Sequence, residues 1–425
     1  MRPIARPLAI CLSTILLAAC GDDGPRGIRP NDTTASDTSV TPDTAETPDS
    51  TDDADPGDAA VTEDVAGNDT AGPEILPNAC DDARPCARGA CRSGVCIEDP
   101  PAAAIGGLDD PATALPSDKP IDLSCADVTW TPPAEPGTAT MFGALARFGS
   151  GRRTDGLRVD VILAEDFDPT ACEGIADPVA RKTCFRELGP IIGTATTGRR
   201  TLTEDLPASC FHHEECPWAY QCYDPHKIGG KCEEQFGVYE IANLPLDTQL
   251  VIRAYPLSET DQERWHDTWM FNVILHSEAA TDGRIQYDAQ IVSASQWLLT
   301  ANSVGLDDIP PENGAIGGRL RDCDPSDRES WPIREVRVGL ARRAQKIVYF
   351  NDLEDDTVPL VSRETTNVHG RYAALDIPSG WNVIAGSIRI GNEVRSVGAL
   401  PIYVFPDALT IASWPGSNPF WRQKD

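Results

Sequence analysis

Two stretches of this chain share one pattern. Gly237 to Pro245 reads GVYEIANLP and Gly370 to Pro378 reads GRYAALDIP. Each is glycine, any residue, tyrosine, alternating apolar positions, then a Leu-Pro or Ile-Pro step. Upstream, Val159-Asp160-Val161-Ile162-Leu163-Ala164 matches Val336-Arg337-Val338-Gly339-Leu340-Ala341, and Phe142-Gly143 matches Ile316-Gly317. The order is the same in both copies, which is the mark of an internal duplication. The stretch from Gly143 to Gly237 is far longer than that from Gly317 to Gly370. Residues 204–235 account for most of the excess and read as a loop insertion.

The repeated segments have period two. Val159, Val161 and Leu163 alternate with Asp160 and Ile162, and Val336, Val338 and Leu340 with Arg337 and Gly339. This predicts strands with one buried and one wet face. Tyr239 and Tyr372 are predicted to point inward, each with a hydroxyl to satisfy. Short strands separated by Gly, Pro and Asp predict a mainly β chain of antiparallel sandwiches. Few helices are expected. Asp177 reads as an N-cap, Pro178 as the first helical residue and Gly189 as the stop of a helix over 178–188. Gln286 to Asn302 reads as a connecting helix with Ile291, Ala294, Leu298 and Ala301 on one face.

The pattern resembles the carboxypeptidase regulatory-like family. That family's consensus has an early glycine, an a-x-V-x-V strand, then T-x-x-x-G-x-Y ending in [LI]-P. The second copy has Thr366, Gly370, Tyr372 and Pro378 in those places. The first keeps Gly237, Tyr239, Ile241, Leu244 and Pro245, and the insertion displaces the threonine. The resemblance implies two transthyretin-like antiparallel β-sandwich domains, at 137–275 and 311–415, joined by a segment at 276–310. It implies a fold with little chemistry, since such domains are accessories in peptidases and spacers or binders on bacterial surfaces.

The chain carries fourteen cysteines. Cys11 and Cys20 lie in the first twenty residues; the other twelve suit pairing in an oxidising compartment. Cys80, Cys86, Cys91 and Cys96 form one module at 80–98. Cys210, Cys216, Cys222 and Cys232 form another within 204–235. Both have a proline beside the second cysteine and end in Gly-x-Cys. Neither holds enough apolar side chains for a core, so disulfides worth about 2–4 kcal/mol each would substitute. Zinc is the rival reading, but zinc pairs are usually two to four residues apart, whereas these spacings are mostly four, five and nine, and the compartment is oxidising. Several pairings within each module fit the spacing. Cys172 and Cys184 are expected to pair, which leaves Cys125 and Cys323 by elimination.

Residues Met1 to Cys20 read MRPIARPLAICLSTILLAAC. A basic start precedes an apolar run too short to span a bilayer. Leu17-Ala18-Ala19-Cys20 resembles a lipobox. That resemblance implies a signal peptide over 1–19, acylation of Cys20 (palmitate among the chains) and anchoring by lipid. Gly21 in the next position implies the outer membrane, with the protein facing the periplasm or the surface. From Gly21 to Ala79 there are fifteen acidic residues against Arg26 and Arg29. Almost no large apolar residue occurs there, so residues 20–79 read as a disordered, lipidated acidic tether of roughly 45 Å mean reach.

The net charge of −30 excludes nucleic acid as a partner. The expected partners are the membrane, through lipid, and an envelope protein or polysaccharide. No cofactor, metal site or catalytic constellation is predicted. His212 and Glu215 have His-x-x-Glu spacing but sit inside a cysteine module, without a third ligand or a general base. Asp322, Asp324 and Asp327, and Asp352, Glu354, Asp355 and Asp356, lack the EF-hand order and read as solvated turns. Trp265 and Trp269 read as core, and His266 beside Asp267 has no serine at a nucleophile elbow. The sequence thus points to a non-catalytic, lipid-anchored envelope protein. The alternatives are an extracellular metal-dependent hydrolase and a calcium-dependent adhesin.

Overall fold

A computed structural model of the chain describes residues 76–110, 113, 115–126, 135–148, 153–199, 220–223, 231–323, 331–353 and 358–415. The Gly-x-Tyr segments form the strands Val238–Pro245 and Arg371–Pro378. Gly237 and Gly370 turn into them with φ of +72° and +65°, a conformation open to glycine. Each is antiparallel to an opening strand, Thr138–Arg147 or Asn313–Arg321. The V-x-V segments form Leu157–Leu163 and Val336–Leu340, antiparallel to Gln249–Pro256 and Gly380–Ile390. Those in turn pair with Trp265–Ile274 and Glu393–Val404. The chain is therefore mainly β and built as two β-sandwich repeats.

In each repeat the final strands run parallel to the opening one. Arg284–Gln286 and Ala289–Ser293 lie beside Thr138–Arg147. Ala408–Ile411 and Trp414–Pro415 lie beside Asn313–Arg321. The strands of the first repeat thus continue past residue 275. Ala408–Ile411 also pairs in parallel with Trp265–Ile274, so one sheet runs through both repeats.

The apolar alternation fills two cores. Met141, Leu145, Val159, Val161, Tyr239 and Ile252 meet in the first. Ile316, Leu320, Val336, Val338, Tyr372 and Ile384 meet in the second. Burying each aliphatic side chain stabilises the fold by about 1.5–3 kcal/mol. Both tyrosines point inward, and their hydroxyls donate to the carbonyls of Tyr287 and Ala412. Tyr239 stands opposite Gly143, and Tyr372 opposite Gly318. The structural counterpart of Gly143 is thus Gly318, one residue beyond the Gly317 that the sequence match selects.

The wet face expected on the V-x-V strands is covered in both repeats. In the first, Asp160 and Ile162 are fully buried beneath the helix Pro178–Glu187. Asp177 caps that helix through the Ala180 N–H at 2.8 Å. In the second, Gly339 packs against Ile97, and Asn78 donates to the Leu340 carbonyl at 2.9 Å. The cover there is the first cysteine module, whose hairpin Ala90–Arg92 and Val95–Ile97 turns at Ser93 and Gly94, both at positive φ. Gly107–Leu108 pairs with Ile333–Arg334. The earliest described segment is therefore part of the second repeat.

The connecting helix is shorter than the predicted Gln286 to Asn302. It spans Ala294–Ser303, capped by Ser293 through the Gln296 N–H at 3.2 Å. Residues ahead of it are drawn into strands because the opening strand of the first repeat needs a neighbour there. Trp297 and Ala301 face inward, and Leu298 is 45% exposed.

Candidate functional site

The cysteines fix the two covers. Cys80 pairs with Cys91 and Cys86 with Cys96, while Cys172 pairs with Cys184 on the helix Pro178–Glu187. Cys125 pairs with Cys323 across a separation of 198 residues, binding the segment before the first repeat to the second. Cys222 stands opposite Cys232 in the hairpin Tyr220–Tyr223 and Lys231–Glu234, and Cys232 is disulfide-bonded. Cys20, Cys210, Cys216, His212, Glu215, Asp324, Asp327, Glu354, Asp355 and Asp356 lie outside the described residues, as does the acidic tether up to residue 75.

Among the described residues, one group of Cys, His, Asp or Glu side chains is close enough to share a metal ion: Cys80, Cys86 and Cys96. All three are oxidised, so no thiolate is there to ligate. Asp322 accepts from the Trp331 N–H at 3.0 Å, and Asp352 from Arg363 at 3.0 Å. Each of these two acids is used within its own loop.

A charged network holds the first cover. Asp160 accepts from Arg253 at 2.6 Å, Thr194 at 2.6 Å, Arg158 at 2.9 Å and Tyr255 at 3.0 Å. Burial works to raise its carboxyl pKa, and the bonds from Thr194, Arg253 and Arg158 together with the Arg253 charge hold it below the usual value. Arg253 also donates to the Phe185 carbonyl at the end of the helix, at 2.8 Å. Arg186 on the same helix grips Asp267 with two bonds. Asp267 is thus not the partner of His266. His266 instead bonds Asp407 at 2.8 Å and stacks on Trp297. Trp265 and Trp269 are core residues, 8% and 1% exposed.

Clefts among the described residues follow from this packing. One of about 430 Å³ lies along the seam, between Phe148, Met270, Phe271, Gln290, Arg319 and Phe350. A groove of about 990 Å³ runs between the first cysteine module and the second repeat. Its walls carry Arg84, Arg88, Arg337, Arg343 and Arg363, against Glu98 and Glu364, over a floor that includes Val338, Leu340 and Ile347. Arg337 pairs with both glutamates. The Arg88 and Arg343 side chains are exposed and make no hydrogen bond or ion pair among the described residues.

The third cleft, of about 520 Å³, lies between the first cover and the second repeat. It is lined by Glu173, Arg181 and Phe185 on one side, and by Arg342, Ser379, Trp381 and Tyr403 on the other. Tyr403 donates to Glu173 at 2.9 Å. Burial and the Glu173 carboxylate raise the Tyr403 hydroxyl pKa, while the charges of Arg181 and Arg342 act the other way. Leu76 borders both this cleft and the groove, and the consecutive Arg342 and Arg343 line one each. The two clefts flank a single turn. Sequence reasoning missed this face because its arginines come from four separated segments.

Fold and site together define a mainly β, disulfide-stapled protein with clefts lined by arginine. No family model and no curated protein match the chain. Among solved structures it is similar to the shaft pilin SpaA of Lactobacillus rhamnosus GG, at 10% identity. That match covers 66% of this chain and 99% of that chain, with a TM-score of 0.16. It is also similar to GBS52, the minor pilin of Streptococcus agalactiae, at 10% identity over 65% and 94% of the two chains, with a TM-score of 0.16. A fimbrial protein from Bacteroides ovatus shows 8% identity over 67% and 50%, with a TM-score of 0.12. Superpositions this loose assign neither an activity nor a partner.

Proposed function

We propose that this chain is a non-catalytic lipoprotein of the cell envelope. It would be held to the outer membrane through acylated Cys20 and would present the two stapled repeats on its acidic tether. The observation that carries this reading is the disulfide set. Cys80–Cys91, Cys86–Cys96, Cys125–Cys323 and Cys172–Cys184 fasten both covers and the segment leading to the first repeat. Such bonds persist in oxidising compartments outside the cytoplasm. A chain held at the envelope also needs a means of retention. Among the described residues no helix is long and apolar enough to cross a membrane. The lipobox-like Leu17-Ala18-Ala19-Cys20 supplies one, and two or three acyl chains hold a protein stably.

Within this reading a signal peptide at 1–19 and a tether from residue 20 to about 75 precede the cysteine module at 80–98, whose leading residues Asn78 and Ala79 are packed with it. The first sandwich opens at 137 and its closing strands extend it past 275 to Ser293, and the second spans 311–415. The second cysteine module interrupts the first sandwich at 204–235. The partner is envelope or extracellular material that meets the arginine-lined face. The test is mass spectrometry of the mature amino-terminal peptide. The reading expects Cys20 as the first residue, carrying a diacylglyceryl thioether and an acylated amine. A mature chain starting elsewhere, or an unmodified Cys20, would refute it.

A further inference from the structure

Trp381 is 41% exposed, whereas Trp265, Trp269, Trp297 and Trp414 are buried at 8%, 1%, 6% and 1%. It sits near the start of the strand Gly380–Ile390, between two buried neighbours, on the outward phase of the pleat. It is not loose. Tyr403 meets the ring at 5.6 Å and 86°, and Phe271 at 6.1 Å and 88°, both edge to face. The fold thus holds a large apolar surface rigidly at the rim of a cleft, in water, where stability gains little from it.

The polar side of that cleft carries cations. The Arg181 guanidinium makes no hydrogen bond among the described residues, and its Nε is enclosed without a partner. Arg342 reaches the Ser379 carbonyl at 3.4 Å. Glu173 is the one carboxylate among the described residues that line the cleft, and it is oriented by Tyr403. Paired guanidinium N–H groups suit a carboxylate. A braced indole suits the C–H face of a pyranose ring, and a fixed carboxylate suits sugar hydroxyls. The cleft volume falls in the range of about 300–1,000 Å³ usual for small-ligand sites.

We propose that the Trp381 cleft and the adjoining arginine groove form one binding face for an acidic polysaccharide, a chain of pyranose rings that bear carboxylates. One acidic sugar would occupy the cleft, with its ring on Trp381 and its carboxylate between Arg181 and Arg342. The chain would then cross the Arg342–Arg343 turn into the groove, where Arg88 and Arg343 meet further carboxylates. This deepens the envelope reading by naming the ligand and rests on it for the compartment. The binding itself does not depend on the anchor.

The test uses the full-length lipoprotein in detergent, titrated with polygalacturonate, neutral dextran and polyphosphate while indole fluorescence and heat are followed. Polygalacturonate is expected to bind in a salt-sensitive way, and dextran not to bind. Trp381→Ala and the double variant Arg181→Gln/Arg342→Gln are each expected to lower affinity by about tenfold or more. Trp381→Phe should keep most of it. Should Trp381→Ala fail to fold, Trp381→Phe and the arginine pair decide the matter. The proposal falls if polygalacturonate does not bind at millimolar sugar, if dextran binds as well, or if the arginine pair has no effect. It also falls if polyphosphate binds as tightly and a folded Trp381→Ala binds every polymer unchanged, which would mark a plain polyanion surface. A Cys20→Ser protein should bind polygalacturonate normally, so failure of the anchor and failure of the ligand are read separately.

Discussion

Gly143 stands directly across the sheet from Tyr239, and the missing side chain is what lets the Tyr287 carbonyl accept the tyrosine hydroxyl. A Cβ on Gly143 would lie 2.0 Å from that oxygen. The second repeat has the same arrangement. Gly318 faces Tyr372, the acceptor is the Ala412 carbonyl, and an added Cβ would lie 1.7 Å from it. Each of these glycines lets the link between the two closing strands, which run parallel to the opening one, approach closely enough to lock it. Gly143→Ala and Gly318→Ala are therefore each expected to destabilise the protein by about 2–4 kcal/mol, combining overpacking with a lost buried hydrogen bond. Urea denaturation followed by intrinsic fluorescence measures this. A loss under about 0.5 kcal/mol, the range of an ordinary surface change, would show that the close approach is not required.

The buried pair Asp160 and Arg253 predicts an asymmetry. Arg253→Met alone leaves a carboxylate enclosed with fewer partners and is expected to cost about 3–5 kcal/mol. Asp160→Leu combined with Arg253→Met removes both charges and should recover much of that loss. Denaturation midpoints of the single and double variants decide it. A double variant as unstable as the single would show that the network holds the cover by specific bonds rather than by charge balance.

Cys125–Cys323 closes a loop of 198 residues. Cys125→Ser/Cys323→Ser is expected to lower stability by about 5 kcal/mol, chiefly by freeing the unfolded chain. Removing Cys172–Cys184, with a separation of 12, should cost less, about 3 kcal/mol. Equal losses would mean that loop length does not set the effect.

Asp407 joins the second repeat to the first through His266 and Lys182 at 2.8 and 2.7 Å. Burial works to raise its carboxyl pKa, but the hydrogen bond and charge of His266, with Lys182, outweigh it and hold the group at about 2. A carboxylate whose folded pKa is depressed contributes stability above its unfolded value, and that contribution is lost as pH falls toward the folded one. Unfolding free energy is therefore expected to drop between about pH 4 and pH 2, and Asp407→Asn should flatten that part of the profile. An unchanged slope in Asp407→Asn would remove this group from the acid response.

The repeated strands were legible because Gly-x-Tyr and V-x-V are local signals with a fixed period. The helix Pro178–Glu187 was legible from Asp177, Pro178 and Gly189 for the same reason. What escaped was non-local. Asp160 reads as a wet-face residue until Arg253, distant in sequence, is brought beside it under a helix. Residues 289–293 read as helix until the opening strand claims them as a parallel neighbour. The arginine-lined face needs Arg88, Arg181, Arg343 and Arg363 to converge from four segments, and no spacing rule reports that. Tryptophan exposure is likewise set by packing, so Trp265 and Trp269 drew notice from their spacing while Trp381 did not.

The measurement that bears most directly on the envelope role is fractionation of cells expressing the native chain beside a Cys20→Ser variant. The native protein should sediment with outer membrane and enter the detergent phase, while the variant should stay soluble with its disulfides formed. A Cys20→Ser protein that still partitions with membrane would contradict the lipid anchor.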